Sequence, residues 1–137
     1  MPNSSGGSGG CLCGGVVYHV DGPLEDVVAC HCSQCRRTTG HYFTATACDR
    51  AALTFAADET LAWYQSSPEA RRGFCSRCGS SLFWERTGAD RIVITAGTLD
   101  QPTALKMIEH IYVADKGDYY DISDGLPQLD QYYDTEK

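Results

Sequence analysis

Cys75-Ser76-Arg77-Cys78-Gly79, taken with Cys11-Leu12-Cys13-Gly14-Gly15 far upstream, decides how this chain folds. Two thiolates one or two residues apart converge readily on one metal ion, and two such knuckles supply the four protein ligands of a closed tetrahedral zinc. The glycines after Cys13 and Cys78 suit backbone that turns tightly around a metal. Joined, the knuckles clamp the two halves of the chain together. Cys30, Cys32 and Cys35 of Cys30-His31-Cys32-Ser33-Gln34-Cys35 are left as a group of three, and Cys48 stands alone. Three protein ligands with an open fourth position are the pattern of a reactive zinc. The alternative is two closed structural sites, the second completed by Cys48 or a histidine. A mixed partition, one knuckle with the triplet, leaves odd thiols over.

The chain has 137 residues, eight of them cysteine, and a formal net charge of −7. That length suits one domain with an ample core, so no disulfide is needed to fold it. The acidic balance disfavours nucleic acid and anionic membrane as partners. No run approaches the ~18 apolar residues of a transmembrane helix. The start, MPNSSGGSGG, lacks the basic and apolar regions of a secretory signal, and thiol-rich chains without one are expected in the cytoplasm. Residues 1–10 read as a flexible Gly/Ser-rich tail, and residues 11–137 as a single zinc-binding β domain.

Between the cysteines the pattern is one of short strands. Val16–Val20, Asp26–Cys30, His41–Cys48, Leu53–Ala56, Leu61–Gln65, Arg71–Cys75, Ser81–Glu85, Arg91–Thr95 and His110–Ala114 are β-branched or aromatic runs separated by Gly, Asp or Pro. This rhythm predicts a mainly β, antiparallel domain. Thr103–Glu109 offers a helical stretch or an extended crossover. Cys35–Thr39 suits a helical turn with Ser33 as its N-cap. From Asp115 onward acids interleave with tyrosines, including Asp118, Asp121, Asp124, Asp130, Asp134 and Glu136, and the segment reads as a solvated, aromatic-anchored tail.

Five of the eight arginines, Arg36, Arg37, Arg71, Arg72 and Arg77, fall within four residues of a proposed ligand. They either compensate thiolate charge or lower thiol pKa and hold a substrate carboxylate. His31 and His41 are candidate proton-transfer groups, but a satisfied structural role fits ordinary histidine usage better. If the strand continues, His31 points away from its cysteine neighbours. Cys48 reads as a small buried apolar residue. Trp63, Tyr64, Phe74, Phe83 and Trp84 read as core.

With these motifs in place, the sequence resembles the glutathione-dependent formaldehyde-activating enzyme family, whose domain also occurs in centromere protein V. The residues behind the resemblance begin with Cys11-Leu12-Cys13-Gly14-Gly15 and Cys30-His31-Cys32-Ser33-Gln34-Cys35-Arg36-Arg37-Thr38-Thr39-Gly40. Arg72-Gly73-Phe74-Cys75-Ser76-Arg77-Cys78-Gly79, Ala96-Gly97-Thr98-Leu99-Asp100 and Asp124-Gly125-Leu126-Pro127 complete the set. The resemblance implies coiled antiparallel β-sheets organised around a structural zinc, similar to methionine sulfoxide reductase B and a Rab exchange-factor-like zinc fold. It implies a structural zinc on Cys11, Cys13, Cys75 and Cys78 and a labile active-site zinc on Cys30, Cys32 and Cys35, these last three being catalytic. The implied activity is carbon–sulfur lyase chemistry on a small-molecule thiol such as glutathione, condensed with formaldehyde to S-hydroxymethylglutathione. Arg36, Arg37 and Arg72 are the candidate substrate-binding residues. The competing reading is a non-catalytic zinc-binding interaction module with two structural sites.

Overall fold

The structure, a computed structural model, describes residues 5–132. In chain order it comprises β1 (Gly7–Gly10), β2 (Val17–Val20), β3 (Val27–Cys30), α1 (Ser33–Thr39), β4 (Phe43–Asp49), β5 (Leu53–Ala57), β6 (Leu61–Ser67), β7 (Ala70–Cys75), β8 (Ser81–Arg86), β9 (Arg91–Thr95) and β10 (Met107–Ile111). A small antiparallel sheet has the order β1-β2-β5, and a large one the order β10-β3-β4-β9-β8-β7-β6. The expected β architecture is present, with one departure: β10 pairs with β3 in parallel, so the large sheet is mixed. No helix among the described residues is long and apolar enough to cross a membrane.

The alternation of side chains along a strand sorts the large sheet into two faces. On β9, Ile92 and Ile94 are fully buried on one face, where they join Tyr18 and Val20 of β2, Leu53 of β5 and Phe83 of β8 in the core between the sheets. Val93 points the other way, packed against a second cluster of Cys30, Cys35, Phe43 and Ile111. Register carries this parity across the sheet. Val93 lies opposite Trp84, Trp84 opposite Arg72, and Cys30 opposite Phe43. One face of the sheet therefore builds the core, and the other gathers the triplet cysteines with Arg72 and Trp84.

Gly7–Gly10 is a strand paired with β2, where a flexible tail was expected through residue 10. Its composition is what permits the pairing. A Cβ on Gly9 would stand 2.3 Å from the Thr98 carbonyl oxygen and 2.4 Å from the Tyr18 hydroxyl. Residues 1–4 of the expected tail lie outside the described residues, as do Asp134 and Glu136.

Two further expectations change. No helix forms over Thr103–Glu109: Thr103–Lys106 is irregular, with Ala104 at φ 60°, and Met107–Glu109 belongs to β10, so the strand expected at His110–Ala114 begins earlier and ends at Ile111. The cap of α1 is Cys32, whose Sγ accepts the Cys35 N–H at 3.3 Å, and Ser33 is the first helical residue. The segment after Asp115 is solvated and anchored by tyrosines as expected, with Asp118, Asp121, Asp124 and Asp130 exposed and the Tyr119 and Tyr120 hydroxyls on His41 and His31. It also forms a strap, the His110 N–H donating to the Pro127 carbonyl and the Leu129 N–H to the His110 carbonyl, both at 2.9 Å.

Gly9→Ala should lose about 1–3 kcal/mol of stability through overpacking against Tyr18 and Thr98. Gly7→Ala, whose nearest new neighbour is a Leu24 methyl at 3.9 Å, should be close to neutral. Urea unfolding of the two variants side by side measures the difference.

Candidate functional site

Cys11 and Cys13 sit in the turn between β1 and β2. Cys75 ends β7, and Cys78 lies in the turn to β8. Their four sulfurs lie within 4.8 Å of one another. Cys13 Sγ stands 3.7 Å from Cys11 Sγ and 3.6 Å from Cys75 Sγ. Sulfurs held at about 2.3 Å by a tetrahedral zinc stand about 3.8 Å apart, so the cluster fits that ion. Gly14 and Gly79 adopt φ of 84° and 82°, the left-handed backbone that closes each knuckle. The Arg77 and Cys78 backbone N–H groups donate to Cys75 Sγ, and Arg77 Nε donates to Cys13 Sγ at 3.2 Å. Hydrogen bonds from Ser80 bring the Cys78 thiol down to about 5, and the Thr60 hydroxyl leads in bringing Cys75 to about 7. Donors aimed at sulfur favour the thiolate a metal requires.

The second group is Cys30 at the end of β3, Cys32 at the helix cap and Cys35 in the first turn of α1. Their sulfurs also lie within 4.8 Å of one another. Hydrogen bonding with Cys30 and then Cys35 drives the Cys32 thiol far below its usual range, while Cys30 is driven up. Both side chains considered as a fourth ligand lie elsewhere. Cys48 is fully buried on the core face, where desolvation raises its thiol to about 11. His31 is bonded to other partners, described below.

Arg72 is the other charged member of this cluster. It is only 6% exposed. Its Nε donates to Gln34 Oε1 at 2.7 Å and its Nη2 to Cys35 Sγ at 3.3 Å. Nη1 is buried with no partner among the described residues. A guanidinium out of water needs a compensating anion. The neighbouring Arg71 and also Arg50 take the Glu85 carboxylate, and the acceptors beside Arg72 are an amide oxygen and a sulfur.

The triplet opens on a cavity of about 440 Å³ lined also by Arg72, Gln34 and Trp84. Of the three arginines expected to bind substrate, Arg72 lines this cavity and Arg36 and Arg37 do not. Trp84 was expected in the core, but its parity on β8 turns it to the cavity face opposite Phe83. Tyr64 is likewise not core, being 63% exposed. Trp63 and Phe83 do pack in the core, their rings stacked at 6.1 Å.

His31, fully buried, turns away from the thiols. Its Nε2 lies 2.9 Å from His110 Nδ1, and His110 Nε2 lies 2.7 Å from Asp124 Oδ2. Its Nδ1 meets the Tyr120 hydroxyl. The Leu126 N–H and His110 hold the Asp124 carboxyl below its usual range, so the carboxylate accepts. His110 then donates from Nε2 and accepts at Nδ1, His31 donates from Nε2, and Tyr120 donates to His31 Nδ1. Burial pushes His31 down to about 4, consistent with this neutral form. The chain of bonds ties the loop between Cys30 and Cys32 to the strap, which is the satisfied structural role expected of this histidine. His41 is exposed and bonds the Tyr119 hydroxyl at 2.7 Å. His110, Tyr120 and Gln34 were not singled out as individual residues from sequence. His31 and Gln34 stood in the Cys30–Gly40 motif and Asp124 in Asp124-Gly125-Leu126-Pro127, but nothing local joined the two motifs to each other or to His110.

Two outcomes are expected. Cys75→Ser should fail to fold, whereas Cys35→Ser should fold with one metal fewer per chain, read by circular dichroism and metal analysis. Unfolding as complete in Cys35→Ser as in Cys75→Ser would refute this division of roles. His110→Ala should cost about 1–3 kcal/mol in urea unfolding by leaving buried His31 Nε2 unpaired.

The geometry has counterparts among known proteins. The family model described as glutathione-dependent formaldehyde-activating enzyme matches residues 7–115, a span holding both cysteine groups and Arg72. A Schizosaccharomyces pombe protein named an uncharacterized lyase is 29% identical over 118 residues, covering 84% of each chain. A Rhodobacter sphaeroides protein of known crystal structure superposes with a TM-score of 0.59 at 25% identity, over 73% of this chain and 98% of that one. The chain belongs to the glutathione-dependent formaldehyde-activating enzyme family.

Proposed function

We propose that the chain is a zinc-dependent lyase that makes and breaks the carbon–sulfur bond between a thiol and an aldehyde. Its most specific form is the condensation of formaldehyde with glutathione to S-hydroxymethylglutathione. The observation that supports this is the convergence of three thiols on an open cavity beside a buried guanidinium with an unused N–H. Cys11, Cys13, Cys75 and Cys78 would hold a structural zinc, and Cys30, Cys32 and Cys35 an active-site zinc. At the second position the ion would supply a substrate thiolate at neutral pH.

The reaction balances without an oxidant. The substrate sulfur adds its electron pair to the carbonyl carbon, the carbon–oxygen π bond breaks toward oxygen, and the proton lost from sulfur ends on that oxygen. Lysis is the reverse. Arg72 would meet the charge that moves. Its Nη2 is 3.3 Å from Cys35 Sγ, so a sulfur meeting the triplet would bring the developing alkoxide, one carbon further on, toward the guanidinium. Gln34 fixes the guanidinium by accepting from Nε. Arg72 thus acts as an alkoxide donor, in addition to any hold on a substrate carboxylate. Arg36 and Arg37 would act at longer range, through charge alone.

The same reading includes kinship of fold with methionine sulfoxide reductase B and the Rab exchange-factor-like zinc fold. It also includes a cytoplasmic setting, which the eight unpaired thiols support.

In zinc-loaded protein, Arg72→Met should lower kcat for hemithioacetal formation about 10²–10³-fold, the cost of removing an oxyanion donor. Arg72→Lys, which keeps the buried charge, should fold and recover part of it. Product formation followed by NMR with labelled formaldehyde reads both. Two tightly held zinc ions per chain with no turnover of any thiol would favour the interaction-module reading instead.

A further inference from the structure

The body of the cavity is less polar than the end that holds the thiols. Val28, Phe43, Ala45, Trp84, Val93 and Ile111 form its walls, all delivered by the parity of the large sheet. One cationic side chain, Arg72, is among its lining residues, and it stands at the triplet. Two of the five N–H groups of that guanidinium are already taken by Gln34 and Cys35. The other charged lining residues are Glu25 and Asp26, which are carboxylates. Glu25 is paired with Arg91, and Asp26 accepts the Lys106 N–H at 3.4 Å.

Glutathione has two carboxylates and one ammonium at neutral pH. Its sulfur placed at the triplet would commit both carboxylates to a region with one partly used cation, aliphatic and aromatic walls, and two acids. Charge buried without a partner is strongly unfavourable, and like charge adds to the cost. An apolar body meets no such penalty. It would displace water from Val28, Val93 and Ile111 and lie against the rings of Phe43 and Trp84. The volume, about 440 Å³, falls among sites that enclose drug-sized ligands and far exceeds what formaldehyde needs.

We propose that the thiol this site takes has an apolar or aromatic body bearing at most one anionic group. The inference rests on the thiol–aldehyde reading above and replaces glutathione, the most specific form of that reading, with a less charged class of thiol. The sulfur goes to Cys30, Cys32 and Cys35, the body lies between Trp84 and Val93, and the aldehyde adds from the remaining space beside Arg72. The bond chemistry is unchanged: one carbon–sulfur bond forms, and the thiol proton ends on the former carbonyl oxygen.

Calorimetry of the zinc-loaded protein with benzyl mercaptan and with glutathione tests this, alongside condensation of each thiol with formaldehyde. Benzyl mercaptan should bind at least tenfold more tightly. Benzyl alcohol, which has the same body and no thiol, should compete with it. Val93→Arg, which adds a cation to the apolar wall, should move the preference toward glutathione by a similar factor. Glutathione binding as tightly as benzyl mercaptan and condensing faster would overturn the inference and leave the thiol–aldehyde reading standing. Preferential binding of benzyl mercaptan without any carbon–sulfur product would uphold the apolar site and overturn the reaction. Binding of neither thiol would overturn the inference.

Discussion

The sulfur cluster of Cys11, Cys13, Cys75 and Cys78 is the constraint on which the rest of the structure depends. Two of its members leave the small sheet and two belong to the end of β7 in the large one, so the cluster fixes the edge at which the sheets meet. The core between them contains Tyr18, Phe83, Ile92 and Ile94. Packing supplies the area, and the cluster supplies the registration. Gly9 shows how tight that registration is, since β1 lies against the Tyr18 ring with no space for a methyl group.

Once one face of the large sheet is committed to the core, alternation assigns every other residue to the opposite face. Arg71 and Arg72 are neighbours in sequence with different fates. Arg71 stacks on Trp63 at 3.8 Å and pairs with Glu85, while Arg72 is placed among thiols. The same step separates Phe83 from Trp84. The candidate site is thus the second face of a sheet whose first face makes the fold, which puts the triplet on rigid strands and one short helix rather than on loops alone.

This explains what the sequence disclosed and what it concealed. The cysteine partition was legible because metal knuckles are local: their spacing carries their geometry. Most strands were legible because β-branched runs and turn residues are local as well. Gly7–Gly10 was not, because four small residues without hydrophobic pattern form a strand only by virtue of the Tyr18 ring they lie against. The role of Arg72 depended on register, which no single run contains. The bonds linking Tyr120, His31, His110 and Asp124 join positions up to 89 residues apart, and only the folded chain brings them together. The parallel pairing of β10 with β3 was hidden for the same reason.

The electrostatics of the triplet follow from the same placement. In a chain of net charge −7, Arg50, Arg71 and Arg91 take carboxylates. Arg72 takes none of these pairs, and it is the most deeply buried charge at the site. Its hydrogen-bond acceptors are Gln34 Oε1 and Cys35 Sγ. Three thiolates without a cation would repel one another. A divalent ion on Cys30, Cys32 and Cys35 leaves a net charge of about −1, which the guanidinium beside Cys35 neutralises. A neutral cluster at the base of an apolar cavity neither attracts nor repels a charged body. On the proposed reading, such a cluster would select for a soft, polarisable sulfur and leave the walls to choose what that sulfur is attached to.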